Sequence, residues 1–153
     1  MEQLQRYLNH SKIDVVFKQN KDDFVVTEIP LYEFSGEGEH LVLKIRKKDL
    51  ATWDAIEILA KYLNCSTREF GYAGLKDKNA MTVQSISVHR KYEEALKSFQ
   101  NENLKILETT YHNNKIKVGH LKGNKFFIRL KRVGAIEKRK IEEALGAIVT
   151  NGI

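Results

Sequence analysis

Two periodicities run through this chain of 153 residues, and the places where one gives way to the other divide it into elements. His40-Leu41-Val42-Leu43-Lys44-Ile45-Arg46 alternates apolar and polar side chains, the period of a half-buried strand, and Met81 to Val88 alternates again. Ile13 to Lys18 and Phe24 to Ile29 are rich in β-branched and aromatic residues and predict two earlier strands, the second stopped by the chain's one proline, Pro30. Ser35-Gly36-Glu37-Gly38-Glu39 reads as a flexible turn. Leu104 to His112 and Lys115 to Gly119 read as a hairpin about Asn113-Asn114, because asparagine tolerates the positive φ that such a turn demands. In Lys125 to Arg132, Phe126, Ile128 and Leu130 share one face of a strand, with Phe127, Arg129 and Lys131 on the other.

Elsewhere the period lengthens to that of a helix. Trp53, Ile56, Ala60 and Leu63 form one apolar stripe behind Thr52, a candidate N-cap, and Asn64 is suited to end the helix. Ser66-Thr67-Arg68-Glu69 has capping-box spacing and predicts a short helical turn. Glu93 to Gln100 predicts a second helix. A last one runs from Ala135 to Thr150, with Ile141, Leu145 and Ile148 inward and Asn151-Gly152 closing it. The residues up to Ser11 read as a short amphipathic helix or a loose end. Strands and helices interspersed in this way predict a mixed α+β fold with a largely antiparallel sheet flanked by helices.

No linker, repeat or low-complexity tract interrupts the pattern, so one domain is expected. Composition adds little: 42% hydrophobic and 30% charged residues are ordinary for a folded globular chain. No apolar run nears the roughly 18 residues of a membrane span. The N-terminus lacks a basic segment followed by an apolar core, and the single Cys65 excludes an internal disulfide, so a cytoplasmic location is expected. Charge changes the picture more. The net charge is +6, and Asn113 to Val133 holds seven basic residues and no acid, which hints at a polyanionic partner.

Candidate chemistry narrows by elimination. His10, His40, His89, His112 and His120 have no close ligand spacing, so no metal is expected. No phosphate-binding glycine loop, dinucleotide fingerprint or nucleophile elbow occurs. A carboxylate is left. Asp77 stands between Lys76 and Lys78, where neighbouring cations would keep it ionised, and an oriented aspartate can act as nucleophile or base. Lys-Asp-Lys-Asn is also good turn composition, so the residues alone leave a plain turn aspartate open.

Three segments then share one resemblance. Ala73-Gly74-Leu75-Lys76-Asp77-Lys78-Asn79-Ala80-Met81-Thr82-Val83-Gln84 resembles the Gly-x-Lys-Asp-x-x-Ala-x-Thr-x-Gln signature of the TruD family of tRNA pseudouridine synthases. Asp23 to Glu28 with Gly36 to His40 resembles its opening motif, and Gly119 to Phe126 its Leu-x-Gly-Asn-x-Phe segment. The resemblance implies conversion of uridine to pseudouridine in tRNA, at position 13 in bacterial members, without cofactor or metal. Asp77 would be the catalytic carboxylate, acting at the ribose C1′/C2′ side or at uracil C6 on a flipped uridine. Lys18 falls where the family has a lysine that pairs with the acid, and Lys76 lies on the motif itself. Asp22 stands where many members carry glutamate, one methylene longer. Asn124 and Phe126 would position or stack on the uracil, although Phe126 also suits core packing; Gln84 suits a structural hydrogen bond. Family members are more than twice this long, so the resemblance implies the N-terminal part of a catalytic domain, cut after a helix at Ile153 and in need of the remaining chain as a partner. By itself the segment is expected to be inactive or nearly so. A non-catalytic basic RNA-binding module is the alternative.

Overall fold

The computed structural model describes Leu8 and residues 11–152; the expected opening helix or loose end, Leu8 and Ser11 apart, lies outside the described residues. The chain divides into two compact units, residues 20–128 and residues 1–19 with 129–153.

The larger unit is built on a six-stranded sheet. Its strands are β2 (Phe24–Pro30), β3 (His40–Lys47), β4 (Gly71–Tyr72), β5 (Met81–His89), β6 (Leu104–His112) and β7 (Leu121–Ile128), whereas β1 (Val16–Phe17) belongs to the other unit. The order is β6-β3-β5-β2-β7. Only β2 and β5 run parallel; they pair from Val25↔Met81 to Thr27↔Val83, and β4 takes over the same side of β5 at Tyr72↔Ile86 and Gly71↔Ser87. Helix α1 (Thr52–Leu63) buries Ala55, Ile56, Leu59 and Ala60 against Leu41, Leu43 and Ile45 of β3 and Ile86 and Val88 of β5. Full burial of each leucine, isoleucine or valine side chain among them contributes about 1.5–3 kcal/mol. Asn64 ends the helix as expected, in the left-handed region at φ 51°, its N–H directed at Ala60 O and Lys61 O. A smaller cluster of Val42, Ala73 and Ile116, with Phe34 and Leu121, forms a second core.

Several sequence expectations are corrected here. Trp53 is not on the buried stripe: it is 46% exposed and meets only the edge of Tyr72. Residues 115–119 do not return as a hairpin strand. They cross toward β4, where Ile116 is buried, its N–H donating to Ser87 Oγ at 2.9 Å. Gly71 permits that approach, since a Cβ there would lie 2.3 Å from Ile116 O. The helix from Glu93 shrinks to a 3-10 turn, Arg90–Tyr92, and one α turn, α2 (Glu93–Leu96), closed by the i→i+3 bonds Lys97 N→Glu94 O and Phe99 N→Leu96 O. Ser66 does cap a 3-10 turn over Thr67–Glu69, but Glu69 Oε2 accepts from Tyr92 Oη rather than completing a box.

In the smaller unit, β1 (Val16–Phe17) pairs antiparallel with β8 (Leu130–Lys131). The longer strand expected to Lys18 ends because Lys18 turns left-handed at φ 55°. Likewise the run expected over Lys125 to Arg132 is two strands in two sheets, with Arg132 at φ 57°. Helix α3 (Ala135–Asn151) half-buries Ile141, Ala144 and Ile148, whereas Leu145, expected inward, is exposed. No described helix is long and apolar enough to cross a membrane.

Candidate active site

The loop from Ala73 to Ala80, joining β4 to β5, carries Asp77. Its composition favours a turn, and the turn forms: Asp77 Oδ1 accepts from Asn79 N at 2.9 Å. Asp77 is exposed, and among the described residues Oδ2 has no hydrogen-bond partner and the carboxylate no ion pair.

Behind the exposed acid, the loop's backbone is tied down group by group. Ala73 O accepts from Gly119 N at 2.8 Å, and Gly74 O from Gln84 Nε2 at 3.1 Å. Lys76 N donates to Thr52 Oγ1 at 2.9 Å, and that hydroxyl donates onward to Gln84 Oε1 at 3.0 Å. The expected N-cap role of Thr52 is thereby corrected. Ala51 precedes the helix, its N–H held by Asp54 Oδ2 at 2.7 Å, while the Thr52 hydroxyl serves the Asp77 loop instead. Gln84 makes the structural hydrogen bonds expected of it.

The two flanking lysines do not flank Asp77 in space as expected. Lys76 turns its ammonium to Glu28 Oε2 at 2.9 Å, with side chains 6% and 1% exposed, and Glu28 Oε1 accepts from Ser85 N. Glu28 fills the place where the β2–β5 ladder has stopped at Val83 and β4 has not yet begun, so its carboxylate satisfies a donor that no strand reaches. Lys78 is exposed. The cation that serves the loop is Lys47, which sequence reasoning missed because the expected strand stopped at Arg46, one residue short of it. It is fully buried, and Nζ points at Leu50 O (2.6 Å), Lys76 O (3.4 Å) and Asp77 O (3.5 Å). Burial pulls the ammonium down to about 8, opposed by the nearby Asp77 carboxylate.

The remaining candidates are spread over neighbouring elements. Asn124 and Phe126 lie on β7, in register with Glu28 and Val26 of β2, which separates β7 from the β5 end where the loop enters. In this chain the Phe126 ring is 57% exposed and stacks at 6.1 Å on Phe24. Asp22 pairs with Lys48 at 2.6 Å on the surface. Lys18 belongs to the smaller unit, where its ammonium lies 5.3 Å from the Phe17 ring centroid. No cluster of metal-ligand type occurs among the described residues.

The model of the family tRNA pseudouridine synthase D (TruD) matches residues 3–153. Curated relatives named tRNA pseudouridine synthase D include those of Sulfurimonas denitrificans, 57% identical over 95% of this chain, and Nitratiruptor sp., 53% identical over 96%. The corresponding protein of Campylobacter jejuni is 54% identical over 90%. The chain spans about two fifths of these relatives' length, 41%, 41% and 37%. A crystal structure from Methanosarcina mazei bearing the TruD name superposes with TM-score 0.81 at 25% identity, over 93% of this chain and 33% of that one. A match of this extent, reaching every segment that builds the Asp77 loop, places the chain in the tRNA pseudouridine synthase D family.

Proposed function

We propose that the complete protein isomerises uridine to pseudouridine in tRNA, at position 13, with Asp77 as the catalytic carboxylate. One observation carries this reading. The motif aspartate is held out to solvent on a loop whose backbone is fixed from behind by buried side chains, the arrangement wanted of a group that must meet a substrate in one orientation. The relatives' shared name supplies the reaction class.

The isomerisation needs no outside electrons. The N1–C1′ bond of uridine breaks, a C5–C1′ bond forms, C5 gives up its proton and N1 gains one. Asp77 would act at C1′/C2′ or at C6, and an exposed carboxylate oxygen without a partner is available for either. The uridine must leave its stack to reach the loop, at a cost of a few kcal/mol. Phe126, exposed on β7, is placed to offset part of that cost by stacking, with Asn124 two residues away to hydrogen-bond the base. Lys18 would keep the supporting role that the family gives its position, and Asp22, paired with Lys48, would have a supporting role in the larger unit.

Tritium release from C5-labelled uridine in tRNA tests the proposal in a protein of the relatives' length. Asp77→Asn is expected to abolish release while tRNA binding survives; turnover in that variant removes Asp77 from the chemistry. A basic module without catalysis predicts no release from the wild type, and RNA binding that falls steeply with salt. Residues 1–153 alone are expected to release little or none. The proposed setting is the cytoplasm, with tRNA as partner.

A further inference from the structure

We infer that Lys47 is the positioning residue of this site: its buried ammonium grips the Lys76–Asp77 backbone and so sets the direction in which the Asp77 carboxylate points. The inference rests on the catalytic reading of Asp77. Its own basis is geometric. Lys47 is the last residue of β3, completely buried, in register with Thr82 of β5 and Leu104 of β6, neither of which carries a charge. An ammonium has three donors and no acceptor, and three carbonyl oxygens lie before it: Leu50 O at 2.6 Å, Lys76 O at 3.4 Å and Asp77 O at 3.5 Å. Two of the three belong to the catalytic motif, one of them to the proposed catalytic residue itself.

This arrangement is costly unless it does something. A buried, unpaired charge is disfavoured, and fold stability alone would be served as well by methionine of similar length. Carbonyls alone complete the ammonium's coordination, so the grip acts on backbone and leaves the carboxylate free. The charged groups that Lys47 feels are Asp77 and Asp54, which favour its protonated form, and Lys76, which opposes it. Deprotonation would remove one donor and turn a lone pair toward the carbonyls, releasing part of the grip. A chain in which Lys47 has lost its proton should therefore still fold and still bind RNA, but present Asp77 less sharply. Misplacement by about 1 Å costs on the order of 100-fold in rate.

The test uses the complete enzyme, with Lys47→Met, Lys47→Gln and Asp77→Asn, reading kcat, KM for tRNA, thermal unfolding and the pH profile of kcat. The expected result is that Lys47→Met melts within a few degrees of the wild type or above it and keeps KM within about twofold. Its kcat falls about 100-fold. The wild type loses kcat as pH rises through about 8, and Lys47→Met lacks that alkaline limb. A kcat in Lys47→Met within about threefold of wild type overturns the inference, while an inactive Asp77→Asn leaves the catalytic reading standing. Turnover in Asp77→Asn instead removes the reading on which both rest. Should Lys47→Met fail to fold, Lys47→Gln, which keeps two donors, takes its place in the same comparison. If neither folds, the wild-type profile decides: a kcat level from pH 7 to 9.5 overturns the inference, and a kcat that falls as pH rises through about 8 bears it out.

Discussion

Breaking the Glu28–Lys76 pair should unfold the larger unit far more readily than its single 2.9 Å contact suggests. In Lys76→Met, the Glu28 carboxylate stays behind with a side chain 1% exposed and one remaining donor, Ser85 N. Stranding a buried charge in this way costs about 3–5 kcal/mol. Glu28→Met strands the ammonium instead and also leaves Ser85 N without an acceptor, a further cost of about 1–3 kcal/mol. The double variant strands no charge. Only the Ser85 N–H is left unmet, so its deficit should be about 1–3 kcal/mol, smaller than that of either single change.

Trp53, the chain's one tryptophan, makes the measurement direct. It lies on α1 with its ring 5.3 Å from that of Tyr72, so its fluorescence follows the unit that contains the pair. Urea titrations of the four proteins give the cycle; for a chain of this size Lys76→Met should melt roughly 6–20 °C lower and Glu28→Met roughly 8–32 °C lower, at about 2–4 °C per kcal/mol. Two results would refute the reasoning: Lys76→Met within about 1 kcal/mol of wild type, or a double variant worse than both singles. The first would mean that the pair is solvated in solution. The second would mean that packing, not charge, holds the site together.

Other expectations follow from neighbouring contacts. Thr52→Val removes a hydroxyl that accepts from Lys76 N and donates to Gln84 Oε1, and should cost about 2–3 kcal/mol in urea unfolding, with Thr52→Ser close to wild type. Phe126→Ala should change stability by only about 1 kcal/mol, since the ring is 57% exposed, yet weaken use of tRNA by the equivalent of about 1–3 kcal/mol in kcat/KM. Lys47 makes stability depend on pH with a definite sign: its folded value of about 8 lies below the ordinary lysine value of 10.5, so between these limits the unfolded chain holds the extra proton. Wild type should therefore gain stability relative to Lys47→Met as pH rises from about 8 to 10.5, by up to about 3 kcal/mol at 1.36 kcal/mol per unit. A constant difference across that range would show that Lys47 titrates normally.

What could be read in advance divides by the range of the interactions involved. Strands β3 and β5 and helix α1 were legible because burial imposes a period on adjacent residues. The hairpin about Asn113-Asn114 was misread because local turn chemistry favoured it, whereas Ile116 had a buried place beside β4 that becomes available only when Gly71 admits its carbonyl. Lys18 and Arg132 ended strands by turning to positive φ, which neither lysine nor arginine advertises. At the site, Asp77 was legible through its motif, and Gln84 through its place in the strand. Thr52 and Lys47 were not: Thr52 looked like an ordinary cap, and Lys47 lay one residue past the strand expected to end at Arg46, a lysine in phase with the buried Leu41, Leu43 and Ile45. Their loop partners are 24 to 30 residues away in sequence; in space both side chains turn toward the same few loop carbonyls and amides.

That convergence explains why the site's support is polar. An apolar anchor such as Leu75, 64% exposed here, would fix a loop only as well as its side chain packs, and rotation about the backbone would still swing Asp77. Hydrogen bonds to Gly74 O, Lys76 N, Lys76 O and Asp77 O fix the peptide planes themselves. Burial makes those bonds expensive to break, because each group released would have no water to turn to. The same low exposure makes the lysines and glutamate costly to keep, so stability is surrendered to hold one backbone segment in a single arrangement. A turn aspartate with no task would need none of this: the Asn79 N–H alone is enough to make the turn.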